Sequence, residues 1–311
     1  MNQAPYRKVI TVSLVGLSKI QYRNKGQISR AVERSLELIH YDFPEDITRV
    51  VIKPNMCYYW DYSTGQTTDP LFVAALIESL RQRISFDIDI SVVEADASAM
   101  KCKYAFRILG YEKMAEDHGV KLINLSEDKT TRTTVTAGNQ TFHLAIPQTI
   151  QNADLRINVP KIKYTVPGTE LTCALKNIFG CNPYPKKFRL HQKLGEAIVA
   201  LNKAMKFDTH IIDANIVAGM QTRKLGLVMA STDPVAIDAA AARIAGLNPN
   251  RIAYLKLAQK EGLGTLDFTP KGEPLNYFRD LYPKKTIKNK LISKAYTLAI
   301  KTGLGKRLGL E

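Results

Sequence analysis

The chain has 311 residues, 45% of them apolar, with 44 Lys and Arg against 29 Asp and Glu and a formal net charge of +15. That apolar content can bury a sizeable core, which excludes a disordered tail protein and a disulfide-dependent miniprotein. No apolar run reaches the ~18 to 20 residues of a membrane span, and residues 1–8 lead into no long uncharged core of the signal type, so a soluble, cytoplasmic protein is expected.

Taken in chain order, short apolar runs alternate with segments of helical periodicity. Strands are predicted at 8–15, 49–53, 88–94, 120–124, 154–159, 211–213 and 226–230. Helices are predicted at 28–39, 71–80, 99–118 with a break at Gly110, 169–179, 190–205, 235–245 and 251–259. Residues 131–146 alternate about Gly138-Asn139 and read as a β-hairpin. Buried strands alternating with helices predict an α/β fold: a mostly parallel sheet with flanking helices, the hairpin inserted into it. We expect one α/β domain over residues 1–270, with room for two sub-lobes, and a basic extension over 271–311.

Two helices share an opening. Thr67-Thr68-Asp69-Pro70 precedes the helix at Leu71, and Ser231-Thr232-Asp233-Pro234 precedes the helix at Val235. In each, Asp suits the cap and Pro suits the first turn, where its missing N–H costs nothing.

The charge is concentrated. Residues 161–193 hold seven Lys and Arg against Glu170, and residues 284–311 hold eight against one acid. This pattern points to a local anionic ligand and a basic tail rather than to a surface built for sequence-specific nucleic acid. In the tail a helix is predicted at 288–302, with Leu291, Ala295, Leu298, Ala299 and Thr302 on one face and Lys290, Lys294 and Lys301 beside it. Such a helix either packs on the domain or makes a peripheral contact with an anionic membrane.

The four cysteines, at 57, 102, 173 and 181, include no CxxC pair, so no intrinsic iron-sulfur cluster or zinc ribbon is expected. Buried, reduced thiols are the default. There is no GxSxG, no P-loop and no GxGxxG, which removes the usual nucleophile and nucleotide motifs.

In open α/β sheets ligands bind beyond the carboxyl ends of the strands. Five predicted strands end in polar residues: Lys53 and Asn55, Glu94 and Asp96, Lys161 and Lys163, Asp213 and Asn215, and Thr232 with Asp233. Lys176 lies among Ala174, Leu175, Ile178 and Phe179 and is followed by Asn177. Facing inward, its ammonium requires an anionic partner; facing outward, it snorkels to water.

These elements together resemble the family known as domain of unknown function 362. The matching residues are Val51-Ile52-Lys53-Pro54-Asn55, Thr68-Asp69-Pro70, Val159-Pro160-Lys161-Ile162-Lys163, Leu171-Thr172-Cys173-Ala174-Leu175-Lys176-Asn177-Ile178-Phe179-Gly180 and Ser231-Thr232-Asp233-Pro234-Val235-Ala236-Ile237-Asp238. Some members carry a ferredoxin-like iron-sulfur module, so the resemblance implies a redox partner protein as an alternative; this chain lacks the cysteine run. It also has Tyr164-Thr165 where the family often has a His, and Ala218-Gly219-Met220-Gln221 where a Gly-Pro turn is common.

Three readings follow. In the first, an enzyme holds an anionic small molecule, a carboxylate or a phosphate, on Lys53, Lys161, Lys163 and Lys176. Asn55, Asn177, Asp213, Thr232 and Asp233 complete the binding set, and His191, Lys176 and Glu94 are the catalytic candidates. His191 is the proton carrier, because imidazole titrates near neutrality and adjacent cations favour its neutral form. In the second, Glu94, Asp96, Asp213, Asp233 and Asp238 hold a divalent cation such as Mg²⁺. In the third, residues 284–307 make the chain a non-enzymatic binder of RNA or an anionic membrane.

Overall fold

In a computed structural model of the chain, the described residues are 12–85, 87–164 and 170–284. The predicted tail helix, with the membrane contact assigned to it, and Thr165 lie outside them.

β1 (Ser13–Lys19) leads to α1 (Lys25–Glu37), and β2 (Arg49–Pro54) to α2 (Pro70–Arg83). β3 (Asp89–Glu94), α3 (Cys102–Ile108), α4 (Tyr111–His118) and β4 (Lys121–Asn124) follow. Then come the hairpin β5 (Thr130–Ala137) and β6 (Gln140–Pro147), α5 (Gln148–Gln151) and β7 (Leu155–Val159). Two short strands, β8 (Lys163–Tyr164) and β9 (Leu171–Thr172), precede α6 (Ala174–Ile178), α7 (Phe188–His191) and α8 (Leu194–Ala204). β10 (Thr209–Ala218) and β11 (Thr222–Ser231) form a long pair before α9 (Pro234–Ile244), α10 (Ala253–Lys260), β12 (Phe268–Gly272) and α11 (Leu275–Leu281).

The main sheet runs β12-β1-β11-β10-β7-β2-β3-β4, with β8 added to β10 and β9 to β8; β5 and β6 pair apart from it. Along that order β11 is antiparallel to both neighbours and every other pairing is parallel. The fold is thus α/β with a mostly parallel sheet, as its pattern predicts.

Alternate strand residues feed two cores, as a period of two requires. Val50 and Ile52 of β2 and Ile211 of β10 meet the buried faces of α1 and α2 on one side. Val51 and Ile212 meet α6, α8 and α9 on the other, where the hairpin also packs. Both Asp-Pro openings cap helices: the Asp69 carboxylate accepts from Leu71 N and that of Asp233 from Val235 N and Ala236 N, with Pro in the first turn.

Four elements differ from the sequence-based expectation. Residues 169–179 are not one helix, because Leu171 and Thr172 pair with β8. The helix begins only where the Asp238 carboxylate takes the Ala174 N–H at 2.6 Å. Among the described residues the first strand spans Ser13–Lys19, running four residues past its predicted end at Val15 and through the buried Leu17. β12 and α11 were not predicted; β12 pairs with β1, so the sheet incorporates the chain up to Gly272.

Candidate functional site

The register sets Lys53 opposite Asn158, and Asn158 opposite His210, in one row across β2, β7 and β10. A relay of buried amides runs through that row. Asn55 Nδ2 donates to Asn177 Oδ1 at 2.9 Å, Asn177 Nδ2 to Asn158 Oδ1 at 2.8 Å, and Asn158 Nδ2 to His210 Nδ1 at 3.0 Å. Because an amide nitrogen only donates, His210 accepts at Nδ1 and is neutral; burial alone pushes it down to about 3. The relay ties α6 to the strand ends. It leaves Asn55 Oδ1 buried without a partner among the described residues.

From that same row Lys53 reaches Glu94 at the end of β3. Lys53 Nζ donates to Glu94 Oε2 at 2.8 Å and to its neighbour's carbonyl, Pro54 O, at 2.5 Å. Glu94 Oε2 also accepts from Met56 N at 3.3 Å and Oε1 from Ala95 N at 3.0 Å, so the carboxylate is paired as a buried charge must be. Gly180 is packed over this pair: a Cβ there would lie 3.1 Å from Glu94 Oε1 and 3.2 Å from Lys53 Nζ.

Above the pair opens a cavity of about 660 Å³. Lys53, Lys163, Lys176 and Lys187 line it with Asn55, Asn177, His191 and Cys57, and among the described lining residues Glu94 is the one carboxylate. Lys163 is buried and donates to Gln66 O at 2.7 Å; Lys187 is buried and donates to Gly180 O at 3.0 Å. Burial, reinforced by the Lys176 and Lys161 ammoniums, pushes Lys163 down to about 8, with Cys57 pulling the other way. Burial also lowers Lys176 and Lys187, and burial followed by the Lys176 charge lowers His191, whose ring lies 5.6 Å from that of Phe179. The cavity therefore holds positive charge in excess of its single carboxylate, whose own ion pair goes to Lys53.

The loop between β2 and α2 forms one wall. Thr68 Oγ1 accepts from Asn55 N at 2.9 Å and donates to Val159 O at 2.8 Å, joining the ends of β2 and β7. Gly65, at φ 70°, lets the loop lie on β10, since a Cβ there would sit 2.5 Å from Val217 C.

Of the predicted site residues, Lys53, Asn55, Glu94, Lys163, Lys176, Asn177 and His191 come together on this cavity. Lys161 and Asp213 lie outside its lining, paired at 3.0 Å, each side chain 1% exposed. Asp213 also accepts from Asp69 N at 2.9 Å, while Arg23 binds Asp69 at 2.7 Å. Thr232 and Asp233 are absent from the cavity. Because β11 is antiparallel, its carboxyl end emerges at the opposite edge of the sheet, where Asp233 accepts from Ser13 Oγ at 2.6 Å and Thr265 N at 2.9 Å. The five carboxylates considered for a divalent cation are likewise dispersed. Asp96 binds Lys101 and caps Cys102, Asp238 caps Ala174, and among the described residues no group of three or more His, Cys, Asp or Glu converges as a metal site.

Lys187, Gln66, Tyr58, Trp60 and Gly180 also line the cavity, although they were not expected from the sequence. Lys187 was signalled by the basic run at 186–189, and the two aromatics by Tyr58-Tyr59-Trp60 following the Lys-Pro-Asn segment. Cys102, Cys173 and Cys181 are buried as expected, whereas Cys57 is half-buried and faces the cavity.

Comparison with known proteins agrees with the fold and sets its lineage. The thylakoid-associated protein sll1697 of Synechocystis sp. (strain ATCC 27184 / PCC 6803 / Kazusa) is 31% identical over 134 residues, 39% of this chain and 41% of that protein, so the match spans under half of the relative's length. Among solved structures, the lactate racemase apoprotein from Thermoanaerobacterium thermosaccharolyticum is similar in fold, with a TM-score of 0.50 and 11% identity over 79% of this chain and 60% of that one. A Thermotoga maritima protein solved by structural genomics gives a TM-score of 0.39 and 10% identity over 76% and 59% of the two chains. The model of the family described as domain of unknown function (DUF362) matches residues 50–243, and the chain belongs to that family.

Proposed function

We propose that this DUF362 chain is a small-molecule enzyme that binds an organic anion, a phosphate or a carboxylate, on the lysines of its cavity. The observation that carries the reading is the charge balance: among the described residues four lysines line the cavity against one carboxylate, and that carboxylate already holds Lys53. Desolvated ammoniums without a counter-charge are costly, and an incoming anion relieves that cost.

Lys163 and Lys176 receive the anionic oxygens, with Lys187 contributing from the side of Gly180. Asn55 Oδ1, buried and unpartnered among the described residues, accepts from a hydroxyl or N–H of the same ligand. His191 has its basicity lowered by burial and by Lys176, so it enters as a neutral imidazole able to take a proton. Glu94 is a positioning residue, its acceptors engaged by Lys53 and backbone N–H groups.

Isothermal titration of inorganic phosphate and pyrophosphate into wild type, Lys176→Met and Lys163→Met tests the binding step. Saturable binding by the wild type, weakened at least tenfold in both variants, is expected. Equal affinities in all three proteins would refute the site.

A further inference from the structure

The cavity is larger, and its rim less polar, than an inorganic anion requires. Its volume of about 660 Å³ falls within the ~300–1,000 Å³ of sites that take drug-sized ligands. Besides the lysines, Tyr58, Trp60, Met56 and Met100 line it.

The two rings are 46% and 50% exposed, with centroids 5.3 Å apart at an interplanar angle of 61°. Clustered exposed aromatics mark binding surfaces more than solitary ones do. The backbone reinforces the point. Tyr58 has a φ of 53°, the left-handed region that a bulky side chain rarely adopts. The loop is held in this form from outside, because Tyr59 OH accepts from Lys101 N at 3.0 Å at the start of α3. Anchoring the middle ring leaves the rings on either side on the cavity wall.

We infer that the anion carries a flat aromatic or heteroaromatic ring, joined to its phosphate or carboxylate as in a mononucleotide. The ring stacks against Trp60 and Tyr58 while the charged end rests on Lys163 and Lys176. Stacking suits any flat π-face, so the rim selects for a ring without reading its identity, while the lysines select for charge. The inference rests on the anion reading above and names its ligand class.

Trp60 is the single tryptophan of the chain, so intrinsic fluorescence reports on the rim. The full-length protein is titrated with adenosine monophosphate and phenyl phosphate, which carry a ring, and with ribose 5-phosphate and inorganic phosphate, which do not. The ring phosphates should quench Trp60 saturably and bind at least tenfold more tightly than the ringless pair. By calorimetry, Trp60→Leu should reduce them to the level of inorganic phosphate, leave inorganic phosphate itself unchanged, and be rescued by Trp60→Phe. Equal affinity for ring and ringless phosphates overturns the inference while the anion reading stands, provided that Lys176→Met still weakens inorganic phosphate binding at least tenfold. Loss of both kinds of ligand in Trp60→Leu also overturns it, and absence of binding by all four probes removes the anion reading itself.

Discussion

The Lys53 ammonium and the Glu94 carboxylate lie 2.8 Å apart, with side chains 1% and 3% exposed. Removing one member of a buried pair strands the other in a low dielectric, which costs about 3–5 kcal/mol, whereas replacing both by apolar groups is often neutral. Lys53→Met should therefore lose that much in urea unfolding, and Lys53→Met with Glu94→Leu should recover most of it. A double variant no more stable than the single one would show that the pair is not the source of the loss.

Gly180 supports the same pair by leaving room for it. The Cβ of Gly180→Ala would lie 3.1 Å from Glu94 Oε1 and 3.2 Å from Lys53 Nζ, so the ion pair must shift. Overpacking of this kind costs about 1–3 kcal/mol. Thermal unfolding should record that loss together with weaker phosphate binding; a melting curve that overlays the wild type would count against it.

Asp238 makes stability depend on pH. Burial pushes its carboxyl up to about 7, against the favourable hydrogen bonds from Cys173, Ala174 and Leu175. An unfolded carboxyl releases its proton near pH ~4, so between these values the folded state holds a proton that the unfolded state has lost. The resulting stabilisation is complete below pH ~4 and disappears as pH rises through the folded value, with a slope of at most about 1.4 kcal/mol per pH unit. Urea midpoints from pH 5 to pH 8 should fall more steeply in the wild type than in Asp238→Asn. Parallel profiles would contradict the assignment.

Lys163 should make anion binding fade in alkali. With its ammonium pushed down to about 8, chiefly by burial, it loses its charge above that pH. Sulfate, whose own charge is constant in this range, should bind progressively more weakly from pH 7 to pH 9.5. Lys163→Arg keeps the cation and should flatten the fall, leaving only the part due to Lys176 and Lys187, which burial also lowers. An unchanged pH profile in the arginine variant would mean that Lys163 does not face the anion.

Three of the cavity's lysines, Lys53, Lys163 and Lys176, were legible in the sequence because each adjoins an apolar strand or helix segment, whereas Lys187 was not singled out. Lys53 follows Val50, Val51 and Ile52, which set its ammonium at a strand end, whereas Lys176, between Leu175 and Ile178, could from sequence face either the core or water. Strand direction was not legible in the same way. The run ending at Ser231 reads alike whichever way it points, so Thr232 and Asp233 were placed with the other strand ends although β11 runs the other way. Gly180 could not be recognised locally either, since its importance comes from two side chains more than eighty residues before it.

The placement of β1 bears on the order of assembly. Its strand partners are β11, where Gly16 faces Ala230, and β12, where Ser13 faces Phe268. During synthesis the first strand emerges long before either partner, while β2, β3 and β4 can already pair, with β7 joining them as it emerges. Such distant pairings are slow to form and leave apolar edges open in the meantime. β1 can therefore take its place between β11 and β12 only after residues 222–231 have been made, so that part of the sheet, with Val15 and Leu17 in its core, closes late in synthesis.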